Sequence, residues 1–199
     1  MLSTVERVQK RIFDLLLSVI GITLTCWIML LAWIIATIET RSNGLFMQER
    51  VGKKGKLFQV FKIKTMKSIP GIDTTVTRSG DIRITRSGAF FRKSKIDELP
   101  QLFNVLFGSM SFVGARPDVP GFADKLQGDD RIILELAPGI TGPSSLKYKD
   151  EEELLAKQQD PESYNREIIW PDKVSINKIY IKNWTLKKDI EYILKTIIG

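Results

Sequence analysis

The chain has 199 residues, a net charge of +7, no histidine and one cysteine, Cys26. The missing histidines exclude Ser-His-Asp and Cys-His chemistry, histidine general bases and histidine-ligated metals. A lone cysteine excludes an internal disulfide framework and a Cys-rich zinc site. Any active site is therefore built from carboxylates, Lys, Arg, hydroxyls and backbone. The charge is segregated. Residues 41–95 hold fourteen bases and three acids, residues 1–40 balance, and residues 96–199 are net acidic.

Leu15 to Ile38 is a run of 24 residues without a charge. As a helix it is roughly 36 Å long, enough to cross a bilayer. It is too long for a cleaved signal peptide. Arg7, Lys10 and Arg11 precede it, and Arg41, Arg50, Lys53, Lys54 and Lys56 follow it. Basic residues on both flanks favour one side of the membrane for both ends, hence a re-entrant helix. The run offers Gly21, Thr23 and Thr25 for a break but no proline, which favours an uninterrupted, membrane-spanning helix instead, so both topologies stay open. Lys10, Arg11 and Asp14 share a helix face, where they can pair with one another or anchor at headgroups.

Leu45–Arg50 and Leu57–Lys64 flank a Gly- and Lys-rich turn and read as a β-hairpin with a basic tip. Residues 67–81 read as a polar loop. Arg83–Lys95 then packs five bases into thirteen residues. Three partners suit this basic block: anionic lipid headgroups, a phosphorylated small molecule, or nucleic acid. No helix-turn-helix, RNA-recognition or zinc-finger pattern accompanies it, which argues against nucleic acid.

Ser94-Lys95-Ile96-Asp97 has the spacing of a capping box, and Ile96, Leu99, Leu102, Phe103 and Leu106 follow at helical spacing as a buried face. Pro100 suits only the start of a helix. Asp97 and Glu98 thus fall in or next to a first helical turn. Beside so many bases, such a pair suits phosphoryl transfer, one carboxylate as nucleophile and the other as a ligand for Mg²⁺. The plain alternative is a cap and dipole partner and nothing more.

In the C-terminal third, Lys147–Glu153 with Leu154-Leu155 reads as a helix start rich in acids. Val174–Trp184 and Leu186–Ile198 read as two helices, the second capped by Thr185. Leu186, Ile190, Ile193, Leu194 and Ile197 make an apolar stripe suited to core packing, or to the headgroup layer.

Several segments occur in a telling order: Lys10-Arg11-x-Phe13-Asp14 before the apolar run, Phe61-Lys62-Ile63-Lys64, Asp97-Glu98-Leu99-Pro100-Gln101-Leu102, Gly114-Ala115-Arg116-Pro117 and Pro138-Gly139-Ile140-Thr141-Gly142. Together they resemble the bacterial sugar transferase family, the small monotopic polyprenyl-phosphate phosphoglycosyltransferases. The resemblance covers residues 7–145 well and the remainder loosely. It implies transfer of sugar-1-phosphate from a nucleotide-diphospho-sugar, usually a UDP-sugar, to undecaprenyl phosphate, with release of UMP. This is the first membrane step of a bacterial surface glycan pathway. It implies Asp97 as nucleophile, forming a covalent phosphosugar intermediate, and Glu98 as catalytic partner and Mg²⁺ ligand. It implies Arg116 as a phosphate-binding residue, and Lys62, Lys64, Arg92 and Arg50 are further substrate-binding candidates. Ala115 stands where the family's motif has a proline. The expected fold is α+β and mostly α. Residues 1–42 form a membrane-inserted, re-entrant helix, and residues 43–199 a small cytoplasmic catalytic domain of short helices and a β-hairpin at the inner membrane. Membrane lipids are partners, and a homo-oligomer is compatible with this reading. Two alternatives carry the same residues: a silent membrane-bound scaffold, and a basic membrane-surface adaptor indifferent to Asp97.

Overall fold

The computed structural model describes residues 2–69 and 81–198. Most of the polar loop expected over 67–81, residues 70–80, lies outside the described residues. The long apolar run forms part of one helix, α1 (Thr4–Thr40), of 37 residues. At about 1.5 Å per residue it is roughly 55 Å long. It is unbroken at Gly21. Thr25 and Thr37 donate their hydroxyls back to carbonyls four residues earlier, which satisfies these polar groups within the helix.

The hairpin forms as read: β1 (Leu45–Val51) pairs with β2 (Leu57–Ile63) across a 3-10 turn at Lys53–Gly55. Then follow α2 (Arg86–Lys93), a 3-10 turn at Ile96–Glu98, and α3 (Gln101–Phe107). A second small sheet joins β3 (Ser111–Val113) to β4 (Gly139–Thr141) in parallel, with Ser111 opposite Gly139 and Val113 opposite Thr141. The remainder is helical: α4 (Pro143–Lys147), α5 (Glu151–Ala156), α6 (Pro161–Tyr164), a π-helical turn at Asn165–Ile169, α7 (Trp170–Lys182) and α8 (Leu186–Ile198). The described residues are thus mostly helical, with two small sheets among them.

Contacts divide the chain into two units. The first comprises residues 1–16, 49–58 and 105–199; the second comprises 17–48 and 59–104. In the first, Val51, Val113, Ile133, Leu134, Val174, Tyr180, Ile181 and Trp184 form the core. In the second, Ala32 and Ala36 of α1 pack with Ile63 and Phe91. Small side chains at these α1 positions let the helix approach closely. Ser18, Met29, Ala32 and Ala36 are buried along one face of α1, while Ile20, Leu24, Trp27, Leu31 and Ile38 stay exposed.

Three local expectations are corrected. Ser94 opens no helix. It closes α2, its hydroxyl donating to the Phe90 carbonyl at 2.8 Å. Lys95 then turns left-handed (φ 59°), which breaks the register a capping box needs. Lys10, Arg11 and Asp14 do not pair with one another as their main contacts. In the first unit Lys10 Nζ meets Asp189 at 2.6 Å, Arg11 caps α3 at the carbonyls of Val105 and Leu106, and Asp14 accepts from Phe112 N at 3.0 Å. The α8 stripe also divides. Leu186 and Ile193 pack on the core, whereas Ile190, Leu194 and Ile197 are exposed. Asp189 is drawn fully inside by Lys10, Tyr180 and Trp184, and that sets the rotation of the helix. Thr185 caps α8 as read, accepting from Lys188 N.

Candidate active site

Asp97 and Glu98 lie in the 3-10 turn of the second unit, one residue beyond the left-handed Lys95 and just before Pro100 and α3. The turn is too short for a helix dipole to supply the field. Side-chain cations supply it instead. Lys62 Nζ, on β2, reaches Glu98 Oε1 at 3.2 Å. Lys62, Lys95 and Arg92 all favour the charged form of Asp97. Burial, followed by the neighbouring Glu98 carboxylate, outweighs them and pushes the Asp97 carboxyl above its ordinary range. Asp97 is 8% exposed, and its Oδ1 is buried without a hydrogen-bond partner.

An unsatisfied buried carboxylate oxygen is costly. An oxygen held so, with nearby cations opposing its protonation, suits nucleophilic attack on phosphorus. The same pair bears on the Mg²⁺ expectation. Among the described residues no group of three or more acids gathers into a metal cage. Mg²⁺ needs none, because it binds through one or two carboxylates, retained waters and substrate phosphate oxygens. Two adjacent carboxylates, one with an unfilled oxygen, fit that requirement.

Of the other sequence-derived candidates, Lys62 and Arg92 belong to this setting. Lys64 instead donates to Ser42 Oγ at 2.7 Å, at the foot of α1. Arg50 and Arg116 lie together in the first unit. Arg50 Nη1 donates to the Pro117 carbonyl at 3.3 Å, and burial followed by the Arg116 charge draws its guanidinium below its ordinary value.

The fold explains two of the sequence motifs by two backbone hydrogen bonds. Gly114 N donates to the Thr141 carbonyl and Gly139 N to the Ala115 carbonyl, at 2.9 and 2.8 Å. The segment carrying Arg116 is therefore held on the Pro138–Gly142 segment. A Cβ at Gly139 would fall on the Gly114 amide nitrogen, so the close approach requires glycine there.

Sequence reasoning missed three residues. Asn104, 2% exposed, donates to the Gln59 carbonyl at 2.7 Å and accepts from Phe61 N at 2.9 Å. It clips β2, and with it Lys62, to α3. Its signal was a polar side chain inside an otherwise apolar helical face. Lys95 carries no sequence signal beyond its place in the basic block and the Ser94–Asp97 segment. Asp118 directly follows the Arg116-Pro117 motif.

Comparison with known proteins places the chain in a family. A family model described as bacterial sugar transferase matches residues 5–199. A protein of Bacillus subtilis (strain 168), provisionally named an undecaprenyl-phosphate N-acetylgalactosaminyl 1-phosphate transferase, is 38% identical over 148 residues, covering 71% of this chain and 79% of that protein. A UDP-N-acetylgalactosamine-undecaprenyl-phosphate N-acetylgalactosaminephosphotransferase of Aeromonas hydrophila is 32% identical over 94% of this chain and 42% of its own length. A UDP-glucose:undecaprenyl-phosphate glucose-1-phosphate transferase of Klebsiella pneumoniae is 32% identical over 98% of this chain and 41% of its own. The chain thus spans about two-fifths of the length of the last two relatives. With nearly its whole length matched and its adjacent acids set among bases, the chain belongs to the bacterial sugar transferase family.

Proposed function

We propose that this chain transfers sugar-1-phosphate from a nucleotide-diphospho-sugar, a UDP-sugar by kinship, to undecaprenyl phosphate. The relatives' names support that acceptor and that class of donor. One observation carries the assignment of the nucleophile: the buried, unsatisfied Oδ1 of Asp97 beside Glu98. In the first step this carboxylate attacks the β-phosphorus of the donor. The bond from that phosphorus to the bridging oxygen breaks, UMP leaves, and an Asp97 phosphosugar remains. In the second step a phosphate oxygen of undecaprenyl phosphate attacks the same phosphorus. Asp97 is released as carboxylate, and the product is undecaprenyl-diphospho-sugar. Both steps conserve charge and atoms without a proton relay, in keeping with a chain that lacks histidine.

Glu98, with Asp97 beside it, is the pair that would hold Mg²⁺. When bound, the ion neutralises charge on phosphate oxygens. Lys62 holds Glu98 in place and favours ionised Asp97. Arg92 adds to the same field. Arg116 and Arg50 supply guanidinium donors for phosphate oxygens, a geometry that guanidinium suits better than ammonium. We read α1 as the membrane segment, at the cytoplasmic face of the inner membrane. One face is packed on protein and the other is apolar and exposed, as contact with lipid requires.

The deciding experiment measures UMP release by detergent-purified protein given undecaprenyl phosphate, Mg²⁺ and a panel of UDP-sugars, beside Asp97→Asn and an EDTA control. Release with one donor, abolished in both controls, together with a labelled phosphosugar adduct on the wild type alone, is the expected result. Undiminished release by Asp97→Asn would overturn the assignment.

A further inference from the structure

The sequence sets two demands on α1 that neither crossing nor re-entry meets together. Basic residues flank the apolar run at both ends, which places both ends on one side of the membrane. The run has no proline, and the helix is continuous from Thr4 to Thr40, so it does not turn back within a leaflet.

The second unit, taken by itself, shows what covers the helix. A Cβ at Gly21 would meet the Leu102 side chain at 3.1 Å. Ala32 and Ala36 pack with Ile63, Phe91 and Ile96. Glu39 accepts from the N–H and the hydroxyl of Ser87, in the first turn of α2. From Gly21 to Glu39 is about 27 Å of helix, close to the thickness of a hydrocarbon layer. The covering elements are not apolar. Ile63 stands between Lys62 and Lys64, Phe91 precedes Arg92 and Lys93, and Asp97 and Glu98 lie in the chain between Ile96 and Leu102. The Lys62–Glu98 ion pair belongs to the same cover. If α1 crossed the bilayer, these groups would be carried into the hydrocarbon beside it, where ionised side chains are rare and costly.

The opposite face of α1 suits lipid along the same length. Ile20, Leu24, Trp27, Leu31, Ile34 and Ile38 are exposed and recur every three or four residues. Polar groups on that side are satisfied within the helix. The Thr23 hydroxyl donates to the Val19 carbonyl at 2.9 Å, and Trp27 Nε1 to the Leu24 carbonyl at 3.0 Å. We propose that α1 lies along the membrane and not across it, with its exposed face sunk in the headgroup–acyl boundary of one leaflet and its other face covered by protein. A helix so placed keeps both basic flanks on one side without a break, and its length need not match the bilayer. The Asp97 turn then stays in water beside that leaflet. This inference deepens the reading of α1 as the membrane segment and rests on it.

The test uses the full chain in vesicles of phosphatidylcholine and phosphatidylglycerol. In a Cys26→Ser background, Ile20→Cys, Trp27→Cys or Ile34→Cys each places a single nitroxide on one exposed helix face. Depth is read from the contrast between access to oxygen and access to an aqueous nickel chelate. The expected result is three depths within about 5 Å of one another, all in the headgroup–acyl boundary. A crossing helix tilted by about 20° would separate the Ile20 and Ile34 positions by about 20 Å in depth. A re-entrant one would put the Trp27 position about 10 Å deeper than the other two. Either profile overturns the proposal and leaves the membrane reading standing. Greater access to nickel than to oxygen at all three positions overturns the membrane reading, and the proposal with it. The melting temperature of each labelled protein checks its fold. Leu24→Cys, Leu31→Cys and Ile38→Cys, exposed on the same face, repeat the profile if one of the first set unfolds.

Discussion

Asp189 offers a sharp test of how the N-terminal helix and the C-terminal helices of the first unit are held. Its carboxylate is fully buried and accepts from Lys10 Nζ at 2.6 Å, Tyr180 OH at 2.6 Å and Trp184 Nε1 at 3.0 Å. Lys10 is itself 5% exposed. Asp189→Asn keeps the shape and removes the charge, stranding a buried ammonium. Breaking a buried pair from one side costs about 3–5 kcal/mol. Lys10→Met strands the carboxylate instead, though Tyr180 and Trp184 still donate to it, so its cost lies at the lower end of that range. If the two sites were independent, the double variant would lose about 6–10 kcal/mol, comparable with the whole stability of a domain. Since both changes remove the same interaction, the double variant instead loses little more than the worse single one. The assay is denaturant unfolding in detergent, followed by tryptophan fluorescence, because Trp184 lies inside the network. Additive losses, or single variants within about 0.5 kcal/mol of wild type, would refute the reasoning. Tyr180 needs no separate correction across neutral pH, since burial and Asp189 hold its phenol above its ordinary value and keep it protonated.

Lys62→Met removes one of the charges that favour ionised Asp97, so that carboxyl rises further and the acid limb of kcat/KM moves to higher pH; a limb that stays put or moves down contradicts the assigned field. Lys95→Gly relieves a left-handed backbone worth roughly 1 kcal/mol and removes a cation near Asp97. Its melting temperature therefore holds or rises while UMP release falls severalfold, and a parallel fall of both would show that the side chain serves packing. Gly139→Ala places a methyl group on the Gly114 amide and costs about 3 kcal/mol or more, read as a lowered denaturation midpoint; an unchanged midpoint would show that β3 and β4 separate freely.

The Asp97-Glu98 pair stood out because its signal is local, two adjacent acids beside a block of bases, while the role of nucleophile came from the family resemblance alone. The hairpin was legible for a similar reason, with Gly52 and Gly55 set between two β-prone runs. The long helix was legible from one uncharged run. What stayed hidden depends on distant partners. Lys10, Arg11 and Asp14 have helix-face neighbours that could satisfy them, but their actual partners are 179, 94 and 98 residues away. The α8 stripe failed as a core pattern because one buried acid, Asp189, outweighs apolar periodicity in fixing the helix's rotation. Ser94 was misread because the residue after it takes a left-handed turn, a conformation that lysine gives little reason to expect.

The reach from Lys10 to Asp189 also dictates an order of events on the ribosome. At about 5–20 residues per second, Asp189 is made roughly ten to forty seconds after Lys10. Through that interval Lys10 lacks its final partner, while Arg11 and Asp14 gain theirs once residues 105–112 are made; until then Lys10 and Asp14, one helical turn apart, can neutralise each other. The apolar stretch thus meets its surroundings before the C-terminal helices exist to compete for it. A chain halted at residue 188 would hold the complete Asp97 turn and yet lack the carboxylate that receives Lys10. Completion of α8, and not of the carboxylate turn, is the moment at which Lys10 acquires its permanent partner.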